Sequence, residues 1–129
     1  MLLRERLKRI LKDTVIESYV EGLESIIREL ILKYRPLSII IAGSLAKDEF
    51  VMGLSDIDVV VITKEDPGKN RFMLRAIENT DVEITFLSID EVFQAIHTGN
   101  QFVIDAIISG KEVYGDIKNE ILKYINELH

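Results

Sequence analysis

Two short runs of β-branched residues constrain this chain most. Ser38–Ile39–Ile40–Ile41–Ala42 is closed by Gly43, and Ile57 to Ile62 follows fourteen positions later after a loop that contains Gly53. Each run is too short and too uniformly apolar for an amphipathic helix, so each reads as a buried central strand.

The rest of the pattern surrounds these strands. Residues 2–34 carry apolar residues at helical spacing: Leu3, Leu7 and Leu11, then Ile16, Val20, Leu23, Ile27, Leu30 and Ile31. The period breaks at Lys12–Asp13–Thr14, which predicts two helices. Their stripes are either core or a dimer or partner surface. Arg35–Pro36 ends the helical region, because a residue before proline resists the α conformation. Lys64 to Gly68 reads as a turn. Arg71 to Asn79 is expected to be helical, and Val82 to Leu87 is a third strand. Ser88 with Glu91 forms a capping box that opens a helix to about His97. After Gly99–Asn100 a second helix continues to Gly110, a C-terminal stop. Val113–Tyr114–Gly115 reads as a short edge strand, and residues 116–128 as a last amphipathic helix.

This order predicts an α+β fold, an α/β sandwich in which helices flank a small mixed sheet. The expected organisation is one domain over residues 1–129: a helical N-terminal segment 1–35, a core 36–115 and a C-terminal helix 116–129. At 129 residues such a chain can bury about two-thirds of its unfolded surface.

Composition narrows the chemistry. The net charge of −6 argues against a dedicated nucleic-acid surface, which would need a basic face. There is no cysteine, so thiolate metal sites and Cys nucleophiles are excluded. With only His97 and His129, any metal should be a hard cation held by carboxylates. No stretch approaches the ~20 apolar residues of a membrane span. The basic N-terminus lacks the uninterrupted apolar block of a signal peptide, so a cytoplasmic location is expected.

The informative residues lie between Gly43 and Glu83. In Ser55–Asp56–Ile57–Asp58, the acids are two apart and share a strand face. At ~4 Å two carboxylates repel by about 1–4 kcal/mol, a cost that a divalent cation removes. Taken alone, the pair reads equally well as solvent-facing acids at a strand start. Gly43–Ser44 ends the first strand. Glycine lets the backbone approach a phosphate, and a helical turn there points free N–H groups at the same anion. Lys47 follows one turn later and can reach a phosphate as a point charge. By itself this is also an ordinary strand-to-turn Gly–Ser. On the third strand Asp81, Glu83 and Thr85 share one face, either beside a metal site or on the polar outer side of an edge strand.

Together these pieces resemble the DNA polymerase β-like nucleotidyltransferase superfamily, especially its minimal nucleotidyltransferases. That pattern is Gly–Ser, a spacer of roughly ten residues, Asp–x–Asp, and a third acid on a later strand. Here Gly43–Ser44, Asp56–Ile57–Asp58 and Glu83 stand in those places, and the strongest stretch is IIIAGSLAKDEFVMGLSDIDVVVI, Ile39 to Ile62. The resemblance implies a nucleotidyltransferase fold. It implies that Gly43, Ser44, Lys47 and Ser55 bind the nucleotide, and that Asp56, Asp58 and Glu83 are catalytic and hold two Mg²⁺ ions. Asp81 competes with Glu83 for the third position. Leu45–Ala46–Lys47–Asp48 departs from the usual Arg and Gly after Gly–Ser.

The function so implied is Mg²⁺-dependent transfer of a nucleoside monophosphate, AMP from ATP, to a hydroxyl acceptor, including one on a partner protein. The alternatives are an antitoxin-like subunit that binds a helical, HEPN-like partner, and a degenerate nucleotide-binding module. A homodimer or hetero-oligomer is the assembly expected.

Overall fold

The computed structural model describes residues 2–69 and 71–128. The expected segment bounds at Met1 and His129 lie outside the described residues. Two helices, α1 (Leu3–Leu11) and α2 (Val20–Tyr34), precede strand β1 (Ser38–Ala42) and a one-turn helix α3 (Gly43–Ala46). Strands β2 (Ile57–Thr63), β3 (Phe72–Ile77) and β4 (Thr80–Ser88) follow. Then come α4 (Ile89–His97), α5 (Gln101–Ser109), β5 (Lys111–Tyr114) and α6 (Lys118–Leu128).

The five strands form one mixed sheet in the order β3-β4-β2-β1-β5. β2 runs antiparallel to β1 and parallel to β4, while β3 and β5 are antiparallel edges. The two apolar runs are the central strands, and they are apolar throughout because both of their faces are covered. Ile39, Ile41, Ile57, Val59 and Val61 pack with Val82, Ile84 and Phe86 against Leu7, Leu11, Leu23, Ile27 and Leu30 of α1 and α2. On the opposite face, Ile40, Ala42, Val60 and Ile62 meet Val92, Ile96, Val103, Ala106, Ile107, Ile121 and Ile125 of α4, α5 and α6. A strand inside a helix-covered sheet shows no polar alternation, for this reason.

The N-terminal stripes are therefore core. The helices part where the period breaks: Thr14 Oγ1 donates to Leu11 O at 2.7 Å, and Asp13 has a positive φ of 63°. α2 carries a buried Glu24, which accepts from Arg4 of α1 at 2.8 Å and from Arg28 at 2.9 Å. Hydrogen bonds from Arg4, then Arg28, hold this carboxylate below the usual range and tie α1 to α2. The capping box forms as expected: Glu91 N donates to Ser88 Oγ at 3.1 Å, and Ser88 N donates to Glu91 Oε1 at 2.8 Å.

One expectation is overturned. Arg71 to Asn79 is not a helix; Phe72–Ile77 is edge strand β3, hairpinned to β4 through Glu78–Asn79. Met, Leu, Arg and Ala are good helix formers. Here pairing with β4 overrides propensity, and the alternation suits it: Met73 and Ile77 turn to the core while Phe72, Leu74 and Ala76 turn outward. Among the described residues no helix is long and apolar enough to cross a membrane.

Phe86 is buried and lies against the Tyr34 ring, centroids 4.7 Å apart. Phe86→Ala is expected to cost about 3–5 kcal/mol of stability in urea unfolding, as for other truncations of large buried aromatics. A loss below about 1 kcal/mol would show that this face is not a well-packed core.

Candidate active site

Strand register builds the site. Ala42 of β1 stands opposite Asp58 of β2, and Asp58 stands opposite Glu83 of β4. The end of β1, Asp58 and Glu83 thus form one row across three strands, on the face opposite Val59 and Val82. Asp56 and Asp81 each precede the Ile57–Val82 pair by one residue, at the exposed mouth of the strands. The structure sets Glu83, and not Asp81, beside Asp58.

Gly43 closes the row on the β1 side. It has φ +65°, in the left-handed region, and a Cβ there would run into the Asp58 carboxylate. Glycine is needed here both for backbone conformation and for space. The backbone passes against Asp58 and then turns into α3, whose Lys47 N–H returns to Gly43 O at 3.2 Å. Ser44 follows in that turn, half-buried.

The acids do not ionise independently. Asp58 is pushed above the usual carboxylate range chiefly by burial, then by the charge of Asp56, against a hydrogen bond from Glu83. Glu83 is raised by burial, by its hydrogen bond to Asp58, and by the charges of Asp56, Asp58 and Asp81. Both carboxyls thus release their protons less readily than free ones, as neighbouring carboxyls in a partly desolvated site do. Among the described residues no three His, Cys, Asp or Glu side chains gather tightly enough to form a ready-made metal cluster. The donor set is all carboxylate oxygen, and its crowding is the kind that a hard divalent cation relieves. Asp58 and Glu83 supply that set in the row, with Asp56 at the strand mouth.

Two other expected residues have local partners. Lys47 Nζ lies 2.5 Å from Asp105 Oδ2 of α5, and that hydrogen bond raises the ammonium pKa. Ser55 Oγ accepts from Val51 N at 2.9 Å, while Ser55 N donates to Val51 O at 2.8 Å, which closes the loop before Asp56. Asp105 escaped sequence reasoning, since nothing local marks a residue on α5 as the anchor of a lysine beyond α3. A cavity of about 310 Å³ bounded by Tyr34, Arg35, Thr63, Glu65, Asp66 and Pro67 lies at the far end of β2, away from Asp56, Asp58 and Glu83.

Two outcomes follow from this geometry. Gly43→Ala should lose about 1–2 kcal/mol from the left-handed backbone alone, with a further loss from displacing Asp58. Adding Asp58→Ser should recover that further loss in a double-mutant cycle, and strict additivity would show that the two residues do not touch. The second outcome concerns pH. The native state holds carboxyl protons that the unfolded chain has released, so stability in metal-free buffer should fall as pH rises from about 4 towards the raised native values. Asp58→Asn should flatten this slope and stabilise the protein by about 1 kcal/mol at neutral pH. Parallel urea titrations of the two proteins at acid and neutral pH would check it, and equal slopes would contradict it.

Comparison with known proteins agrees with the fold. No curated protein matches the chain. A structure of similar fold is a nucleotidyltransferase-like protein from Exiguobacterium sibiricum, with a TM-score of 0.60 at 13% identity, covering 82% of this chain and 38% of that one. The chain thus spans well under half of that protein's length, and at this identity the likeness carries the fold alone. Residues 20–128 match the model of the nucleotidyltransferase domain, a span that takes in α2, the whole sheet and all of the row from Gly43 to Glu83. By that match over most of its length, the chain belongs to the nucleotidyltransferase domain family.

Proposed function

We propose that the protein transfers a nucleoside monophosphate, AMP from ATP, to an acceptor hydroxyl in a Mg²⁺-dependent reaction. The observation that carries this reading is the row formed by Gly43, Asp58 and Glu83, where an approachable backbone turn adjoins two crowded carboxylates. Gly43 and Ser44 bind the triphosphate through the backbone and the Ser44 hydroxyl. Asp56, Asp58 and Glu83 are the residues that would hold two Mg²⁺ ions, which would supply neutralisation of the charge on the attacking and leaving oxygens of an in-line displacement. The ionised Glu83 carboxylate takes the proton of the acceptor hydroxyl. The acceptor oxygen bonds to the α-phosphorus as the bond to pyrophosphate breaks. The acceptor class includes a hydroxyl carried by a partner protein, and the setting is cytoplasmic, where ATP is supplied.

The Lys47–Asp105 pair favours a second reading. A lysine already engaged by α5 is not free to meet phosphate, as suits a degenerate nucleotide-binding or antitoxin-like subunit that acts by binding a helical partner.

The test is incubation with α-labelled ATP, Mg²⁺ and candidate acceptors, including co-expressed partner proteins. Transfer that needs Mg²⁺ and falls about a hundredfold or more in Asp56→Asn and Asp58→Asn is expected. Partner neutralisation that survives Asp56→Asn would select the binding reading. Absence of both transfer and Mg–ATP affinity would overturn the proposal.

A further inference from the structure

The outer edge of the sheet is unusual for a free strand. Phe72 and Leu74 of β3 are 60% and 52% exposed, and with Ala76 they make one side of the strand wholly apolar. Phe86 N donates to Arg71 O at 3.0 Å, and in the β3–β4 register Arg71 falls opposite Phe86. This fixes the parity of the antiparallel ladder. The odd residues Arg71, Met73, Arg75 and Ile77 bond inward to β4. Phe72, Leu74 and Ala76 turn their N–H and C=O groups out from the edge. The strand has no proline and no lysine, the usual means of protecting such an edge. Its one guard is Arg75, which donates to Leu74 O at 3.2 Å while also held by Glu29 at 2.9 Å.

We propose that this edge pairs with the β3 edge of a second copy of the chain, antiparallel about a two-fold axis at Leu74, to make a continuous ten-stranded sheet. Side-chain complementarity selects both the occupant and the register. A two-fold perpendicular to the sheet keeps faces matched, so paired residue numbers must sum to an even value. Centred on Leu74, the pairs are Leu74 with Leu74, Phe72 with Ala76, Met73 with Arg75 and Arg71 with Ile77. Large meets small on the apolar side, and no like charges face each other. Centring on Arg75 would oppose two guanidiniums, and centring on Met73 would set Arg71 against Arg75, both unfavourable. In the Leu74 register the outward groups of Phe72, Leu74 and Ala76 all find partners. Arg75 gives up its bond to Leu74 O and keeps Glu29.

The pairing bears on the site, because Leu74 is also the cross-strand neighbour of Glu83. The row from Gly43 through Asp58 and Glu83 would run on through Leu74 into the second copy. The two Glu83 residues would stand three strand spacings apart, about 14 Å, over a shared apolar floor of Phe72, Leu74 and Ala76.

Sedimentation equilibrium on the full chain, from micromolar to near-millimolar concentration, tests the association. Amide hydrogen exchange at both extremes tests the surface. The expected result is a reversible dimer in which the Phe72, Leu74 and Ala76 amides gain protection with concentration, while Met73, Arg75 and Ile77 are protected throughout. Leu74→Lys sets two ammonium groups against each other on the axis and should weaken association by about tenfold or more, with circular dichroism unchanged. Phe72→Ser, away from the axis, is the second variant should Leu74→Lys fail to fold. It should weaken the dimer more modestly. A monomer at every concentration overturns the proposal. So does a dimer indifferent to both substitutions, or one whose Phe72, Leu74 and Ala76 amides exchange freely, because the copies then meet elsewhere.

Discussion

The parallel register of β2 with β4 is the constraint on which the site depends. It is set on the face away from the chemistry, where Ile57, Val59 and Val61 interlock with Val82, Ile84 and Phe86 under α1 and α2. Side chains alternate along a strand, so a slip of one residue would turn Glu83 into the core and Val82 into the site. Burial forbids that. Apolar packing on one face thereby places two acids side by side on the other, and the unfavourable charge pair is held by contacts that never touch it.

The same logic explains Gly43. β1 must lie against β2 for Ile39 and Ile41 to be buried, which brings the end of β1 directly over Asp58. Only a residue without a Cβ can turn there. The glycine answers to the carboxylate beside it as much as to any phosphate. The Gly–Ser and Asp–x–Asp elements, separate in sequence, are one steric unit in the fold.

What was legible in the sequence follows from how local the deciding physics is. β1 and β2 announce themselves because burial on both faces leaves no room for polar residues. The Ser88–Glu91 cap is a contact across three residues, and both of its hydrogen bonds form. β3 was misread because its residues favour a helix in isolation, and only the free edge of β4, supplied by the fold, makes it a strand. Alternation of Met73, Arg75 and Ile77 with Phe72, Leu74 and Ala76 was present in the sequence. It was masked because both sets contain apolar residues. The N-terminal stripes could not be assigned to core or partner until the sheet area beneath them was known. Asp105 had no local mark at all, because its role depends on α5 crossing beside α3.

The site's acids and the β3 edge share one physical origin. Helices α4, α5 and α6 cover β1 and the later part of β2 on the site face, where Ile40, Val60 and Ile62 are buried. They reach β4 only at its end, where Leu87 packs against them, and leave its earlier residues and β3 uncovered. On that uncovered face stand Asp58 and Glu83, half-buried, and next to them Leu74 and Phe72, exposed. A fully covered sheet would be more stable but would leave nowhere for a nucleotide or an acceptor to approach. Leaving the face open costs the protein a crowded carboxylate pair and an exposed apolar edge. Both are unfavourable features of the free chain, and each is of a kind that binding relieves, crowded carboxylates by a cation and an open apolar edge by a strand. The openness that leaves the acids accessible is thus the same property that leaves this edge unpaired.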